Sequence, residues 1–190
     1  MTKYILHGGG TRVDNKSNRS FFQEIAKDVP DGGTILLVYF AVIDGDHEEH
    51  FRNMKEDFIK NSGDKKLNFI LATEENFTEQ IKDADAIYIH GGDTPTLLRK
   101  LSTFPNFADL IKGKVIAGSS AGAQILSTYF QRSQTLEIME GFGILPIRFI
   151  PHYKSPSFNV DEEAVEKMNK YPNNLELVVL KDYEWKVFEK

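Results

Sequence analysis

A chain of 190 residues, 41% hydrophobic and 27% charged, has the make-up of an ordinary globular domain with a sizeable core. Its formal net charge of -5, with acids and bases interspersed, argues against a nucleic-acid groove or a membrane-surface patch. The absence of cysteine excludes disulfides, thiolate metal sites and a cysteine nucleophile. No apolar run reaches the roughly 18 residues of a membrane span. The apolar stretch in "MTKYILHGGG" is too short for a signal peptide. The expectation is one cytoplasmic domain over residues 1–190, without membrane or nucleic-acid partners.

In chain order, apolar runs alternate with helical patterns. A strand over Tyr4–His7 runs into Gly8-Gly9-Gly10, and a helix follows over Arg19–Asp28. The next strand, Thr34–Val42, precedes a helix over His47–Lys60, where Phe51, Met54, Phe58 and Ile59 mark a core-facing side. Leu67–Ala72 and Ala86–His90 read as strands, separated by a helix over Phe77–Lys82. A helix over Thr96–Leu101, a strand over Lys114–Ala117 and a helix over Ala121–Tyr129 come next. A strand over Arg148–Pro151, a helix over Asp161–Lys170 and a strand over Leu175–Leu180 complete the pattern. Near-continuous apolar runs suit strands buried on both faces, so the fold class is α/β with a doubly wound, mostly parallel sheet. Ligands of such sheets bind beyond the carboxyl ends of the strands. Glycine clusters at Gly8–Gly10, Gly91-Gly92 and Gly118 follow strands directly and should gather there.

"VIAGSSAGAQI" carries the chemistry. Gly118-Ser119-Ser120-Ala121-Gly122 fits G-x-S-x-G between a strand and a helix, the context of a nucleophile elbow. Centring on Ser120 puts glycines two residues away on both sides; centring on Ser119 puts alanines there. Ser120 is the better nucleophile. The competing interpretation is a tight turn whose serine caps a helix.

A serine needs a base. His7 and His90 end strands, either as packed residues or as pocket lining. His47 and His50 in "HEEH" lack the spacing of H-E-x-x-H, which points to a solvated helix face and no metal. His152 in "RFIPHYKSPS" follows an apolar run and a proline, and is the best base. A third, acidic member would hold the imidazole. Glu137 and Glu140 lie between Ser120 and His152; Glu137 is preferred, and both could instead be surface charges. The oxyanion hole is expected from the N–H of Ala121 and from Gly91 or Gly92, with "HGGG" at His7–Gly10 as the competing loop. Neither glycine cluster continues as a dinucleotide fingerprint or P-loop, so phosphate binding is a weak alternative and no cofactor is expected.

"AIYIHGGDTPTLLRKL", "GKVIAGSSAGAQIL" and "GFGILPIRFIPHY", in that order, resemble the dipeptidase E / cyanophycinase family of serine peptidases. The resemblance implies a flavodoxin-like αβα sandwich related to class I glutamine amidotransferases. It also implies hydrolysis of peptide bonds next to aspartate, with Ser120 as nucleophile, His152 as base, and Gly91, Gly92 and Ala121 around the oxyanion. The aspartyl dipeptidases grip their substrate with an arginine shortly after the histidine; this segment, "KSPSFNVDEEAVEKM", holds Lys154 instead. Lys154, Asp93 and His7 are the candidate substrate contacts. The carboxyl-terminal portion is shorter than the family's, which implies a more open pocket or one completed by a partner subunit in a homodimer. The expected function is a serine peptidase for dipeptides or small aspartyl-type amides, working through an acyl-enzyme at Ser120. The alternative is a catalytically silent binding or regulatory domain that kept the elbow as architecture.

Overall fold

The computed structural model describes residues 1–43, 45–172 and 174–190. The first half contains β1 (Lys3–His7), α1 (Lys16–Lys27), β2 (Thr34–Val38), α2 (His47–Asn61), β3 (Asn68–Leu71), α3 (Phe77–Asp83), β4 (Ala86–Ile89) and α4 (Thr94–Leu101). The second contains α5 (Phe107–Leu110), β5 (Val115–Ser119), α6 (Ala121–Gln124), β6 (Ser127–Gln131), β7 (Ile138–Glu140), β8 (Leu145–Ile150), α7 (Glu162–Met168), β9 (Glu176–Val179) and β10 (Trp185–Glu189). Six strands form the central sheet in the order β10-β1-β5-β4-β2-β3. All its pairings are parallel except that of β10 with β1. The doubly wound α/β expectation therefore holds.

Alternation along each strand builds a core on both faces. Ile5, Ile35, Leu37, Tyr88 and Ala117 pack against Phe21, Phe22 and Ile25 of α1 and Met54 and Phe58 of α2. Their sequence neighbours Leu6, Leu36, Val38, Ile87, Ile89 and Ile116 pack the other way, against α3, α4, α5 and the second half of the chain. Helix starts are fixed by short polar caps: the side chains of Asn15, Asp46 and Asp93 accept from Asn18, Glu49 and Thr96 N–H groups. Asp93 is also followed by Thr94-Pro95, a proline in the first turn, where its missing N–H costs nothing.

The sequence expectation fails over Ala121–Tyr129. The helix stops at Gln124, and Ser127–Gln131 is a strand of a second sheet, ordered β7-β6-β8-β9. The β-branched and aromatic run Thr128-Tyr129-Phe130 favours this extended state. The Ser127 hydroxyl donates back to the Gln124 carbonyl at 2.7 Å, and the Gln124 amide donates to the Gln131 carbonyl at 2.6 Å. β8 pairs in parallel with both β6 and β9, so the carboxyl ends of β8 and β9 lie side by side. Phe130, Leu145, Ile147, Phe149 and Val178 of this sheet join the same core as Leu36 and Ile87.

Candidate active site

Parallel register brings the loops together. His7 lies opposite Ser119 on β1 and β5, and Gly118 opposite Ile89 on β5 and β4. The residues that follow these strand ends therefore converge on one edge. Ser120, immediately after β5, has φ 49° and ψ -110°, a conformation L side chains seldom adopt and one that stores strain. Its N–H donates to the His7 carbonyl at 3.0 Å, and its carbonyl accepts from Ala123 and Gln124. The turn needs glycine on both sides. A Cβ on Gly118 would lie 2.4 Å from Gly122, and one on Gly122 would lie 2.0 Å from the Ile89 carbonyl oxygen. Ser119, by contrast, is the last residue of β5 and is buried.

His152 follows β8, with φ 57° and its N–H donating to the Gly8 carbonyl at 3.0 Å. Its Nε2 lies 2.8 Å from Ser120 Oγ and its Nδ1 lies 2.6 Å from Asp182 Oδ1. A carboxylate only accepts, so Nδ1 carries the proton and Nε2 is left to accept the serine hydroxyl. Phe158 packs on the ring, with centroids 4.3 Å apart. Burial lowers the imidazole pKa below 6.5, while the hydrogen bond and charge of Asp182 oppose that shift. Gly9 backs the ring so closely that a Cβ there would lie 2.0 Å from His152 Cε1.

Asp182, not Glu137, is the acid at the histidine. Glu137 is exposed in the β6–β7 connection, where its backbone accepts from Arg132 and donates to Thr135. Glu140 ends β7, opposite Tyr129. The strand-end rule applied to "LELVVLKDY" could have found Asp182, which closely follows a correctly expected strand. Asp182 follows His152 in the chain, outside the Ser120–His152 interval that holds Glu137 and Glu140. The Asp182 turn is fastened to the first loop: Tyr183 N–H donates to the Gly9 carbonyl at 2.9 Å, and Gly8 N–H to the Glu184 carbonyl at 2.8 Å.

Gly91 and Gly92 follow β4 and flank the elbow. A Cβ on Gly91 would sit 3.2 Å from Ser120 Cβ, and Gly92, at φ 144°, lies too close to the Ala41 carbonyl for any side chain. Among the described residues, the N–H groups of Gly91, Gly92 and Ala121 engage no acceptor. The helix after Ser120 is a single turn, Ala121–Gln124, so the individual N–H groups matter there rather than a long helix dipole.

These residues open onto a cavity of about 430 Å³. Asp93 lines it, with one carboxylate oxygen on the Thr96 N–H and the other 3.1 Å from Arg132 Nη2. His7 does not. It is fully buried, donating from Nε2 to Asn18 Oδ1 at 2.9 Å and accepting the Gly9 N–H on Nδ1 at 3.0 Å. Burial lowers its pKa to about 4, so it is a neutral strut for the glycine loop. Lys154 is also misplaced by the sequence expectation. It pairs with Glu162 at 2.6 Å and lies over the Tyr153 ring, away from the cavity wall. In the other direction, His50 was expected on a solvated face, yet it lines the cavity with His90 and Arg12. The pKa of His90 is lowered to about 3, mainly by burial and further by Arg12 and His50.

A serine on a strained strand-to-helix turn, hydrogen-bonded to a histidine that is itself held by a carboxylate, defines a nucleophile-elbow site on an α/β fold. The model of "Peptidase family S51" matches residues 4–190, and the chain belongs to that family. Two relatives named Peptidase E are similar over part of the chain. The protein of Shewanella sp. (strain W3-18-1) is 33% identical over 99 residues, covering 45% of this chain and 42% of that protein. The Shewanella oneidensis protein is 31% identical over 98 residues, with the same coverage. The matched stretch thus spans under half of these relatives' length. Two solved structures share the fold. A peptidase from an acI-B1 Actinobacterium gives a TM-score of 0.69 at 23% identity, covering 99% of this chain and 83% of that one. A protein provisionally assigned as a Peptidase E from Listeria monocytogenes EGD-e gives 0.68 at 18% identity, covering 100% and 98%.

Proposed function

We propose that the protein is a serine peptidase acting on dipeptides or other small amide substrates. The observation that carries this reading is the chain of contacts from Ser120 Oγ to His152 Nε2, 2.8 Å, and from His152 Nδ1 to Asp182 Oδ1, 2.6 Å. Both lengths are within the range for a positioned nucleophile and general base. In this mechanism Ser120 Oγ attacks the carbonyl carbon as His152 Nε2 takes its proton. Asp182 holds the tautomer and stabilises the imidazolium. The N–H of Ala121, with that of Gly91 or Gly92, receives the negative charge that develops on the oxygen. His152 then gives its proton to the departing amine. Water, deprotonated by the same nitrogen, releases the acyl group and restores Ser120.

A cavity of about 430 Å³ suits short substrates. A silent domain that kept the elbow as architecture predicts serine and histidine beyond hydrogen-bond reach, so the 2.8 Å contact favours the enzyme. The test is hydrolysis of a panel of Asp-X, Glu-X, Ala-X and β-aspartyl dipeptides beside Ser120→Ala. Turnover of at least one member, abolished in the variant, is expected. Equal rates in the two proteins would refute it.

A further inference from the structure

Among the residues lining the cavity at Ser120, two carry a permanent charge, Arg12 and Asp93. They are not equivalent. Asp93 is already neutralised by Arg132 and bonded to the Thr96 N–H. Arg12 has no carboxylate within ion-pair distance among the described residues; its one hydrogen-bond partner is His50, whose Nδ1 accepts from Nη2 at 2.5 Å. An accepting imidazole fixes the guanidinium without cancelling its charge. The imidazole is itself held in place. It stacks on Tyr39 at 5.7 Å and 22°, and the Tyr39 hydroxyl donates to the His50 carbonyl at 2.9 Å. Among the described residues, the cavity lining therefore holds one cation without a carboxylate partner, Arg12, held through Nη2 by His50.

We propose that Arg12 is the specificity-determining residue that receives a carboxylate of the bound peptide. This inference rests on the peptidase reading above. A guanidinium pairs with a carboxylate through two parallel N–H···O bonds, a match that neither a lysine nor a histidine provides. The carboxylate has two sources, the peptide's free carboxyl terminus or an acidic side chain, and both present the same group to the fork.

Calorimetric titration separates binding from turnover. Ser120→Ala and Ser120→Ala/Arg12→Met proteins are titrated with Ala-Leu, Asp-Leu and the carboxyl-terminal amide of each. In Ser120→Ala, peptides bearing the recognised carboxylate should bind at least about tenfold tighter than the peptide with none. The advantage should vanish with Arg12→Met and be partly restored by Arg12→Lys. Affinity lost on amidating Ala-Leu assigns the carboxyl terminus; affinity kept by Asp-Leu amide assigns the side chain. Arg12 is exposed, so the melting temperature should not change. An advantage that is absent, or that survives Arg12→Met, overturns the proposal, as does failure of every peptide to bind. A failure of the peptidase reading would show separately, as absent turnover by the unsubstituted protein.

Discussion

Asp182 touches no substrate in the proposed mechanism, yet it decides which nitrogen of His152 can take the serine proton. Asp182→Asn should leave the fold intact and lower kcat by roughly 10³–10⁴-fold, the cost of a wrongly held tautomer in such triads. Glu137→Gln should leave kcat unchanged, because its carboxylate is exposed and does not meet the histidine. Steady-state kinetics on one dipeptide decide between the two acids. The same pair sets the pH dependence. His152 works only when neutral, and burial lowers its pKa below 6.5. Activity should therefore persist below pH 6.5 and fall as His152 protonates at a lower pH. Because Asp182 raises that pKa, Asp182→Asn should move the acid limb of kcat/KM lower still. A limb that moves upward would contradict the assigned contacts.

Loops, rather than helices, set the precision of the site. The Gly8–Gly10 segment accepts the N–H groups of His152 and Tyr183, and thereby aligns two strand ends of the second sheet with the elbow of the first. Gly9→Ala would place a methyl 2.0 Å from His152 Cε1 at φ 125°, displacing the ring. Its kcat should collapse, whereas Gly63→Ala should lose only stability, about 1 kcal/mol or more. Gly63 is also at positive φ, but nothing lies within 4 Å of an added Cβ. Thermal melts and kinetics of the two variants separate these effects. The five parallel strands of the first sheet, β8 and β9 of the second, the elbow and His152 could be anticipated because each depends on local pattern: apolar runs, glycine spacing, a proline just after a strand. β6, β7 and β10 could not: Ala121–Tyr129 has helix-favouring residues at its start, and its end, Ser127–Tyr129, is extended through pairing with β7 and β8. The burial of His7, the pairing of Lys154 and the place of Asp182 were not legible for a related reason. They depend on contacts with Asn18, Glu162 and His152 that the fold makes, and a strand end marks the position of Asp182 without showing its partner.

The whole molecule is organised so that buried, neutral histidines sit beneath the site. His7 and His90 titrate at about 4 and about 3 in the folded chain against 6.5 unfolded, mainly because burial opposes their charge. Between those values the unfolded chain binds more protons, so their contribution to stability is full above pH 6.5 and is lost as pH falls towards 4. Urea titrations should show stability declining over that window, and His7→Asn should flatten the decline while costing stability at pH 7. No helix among the described residues is long and apolar enough to cross a membrane. The two sheets hold Ser120, at the end of a strand of one, against His152 and Asp182, at strand ends of the other. Whether that arrangement makes a nucleophile can be read directly from treatment with a fluorophosphonate, followed by mass spectrometry of the peptide spanning Val115–Ile125. The adduct should be on Ser120, should persist in Ser119→Ala and should be lost in Ser120→Ala. An adduct elsewhere, or labelling that survives Ser120→Ala, would contradict the mechanism.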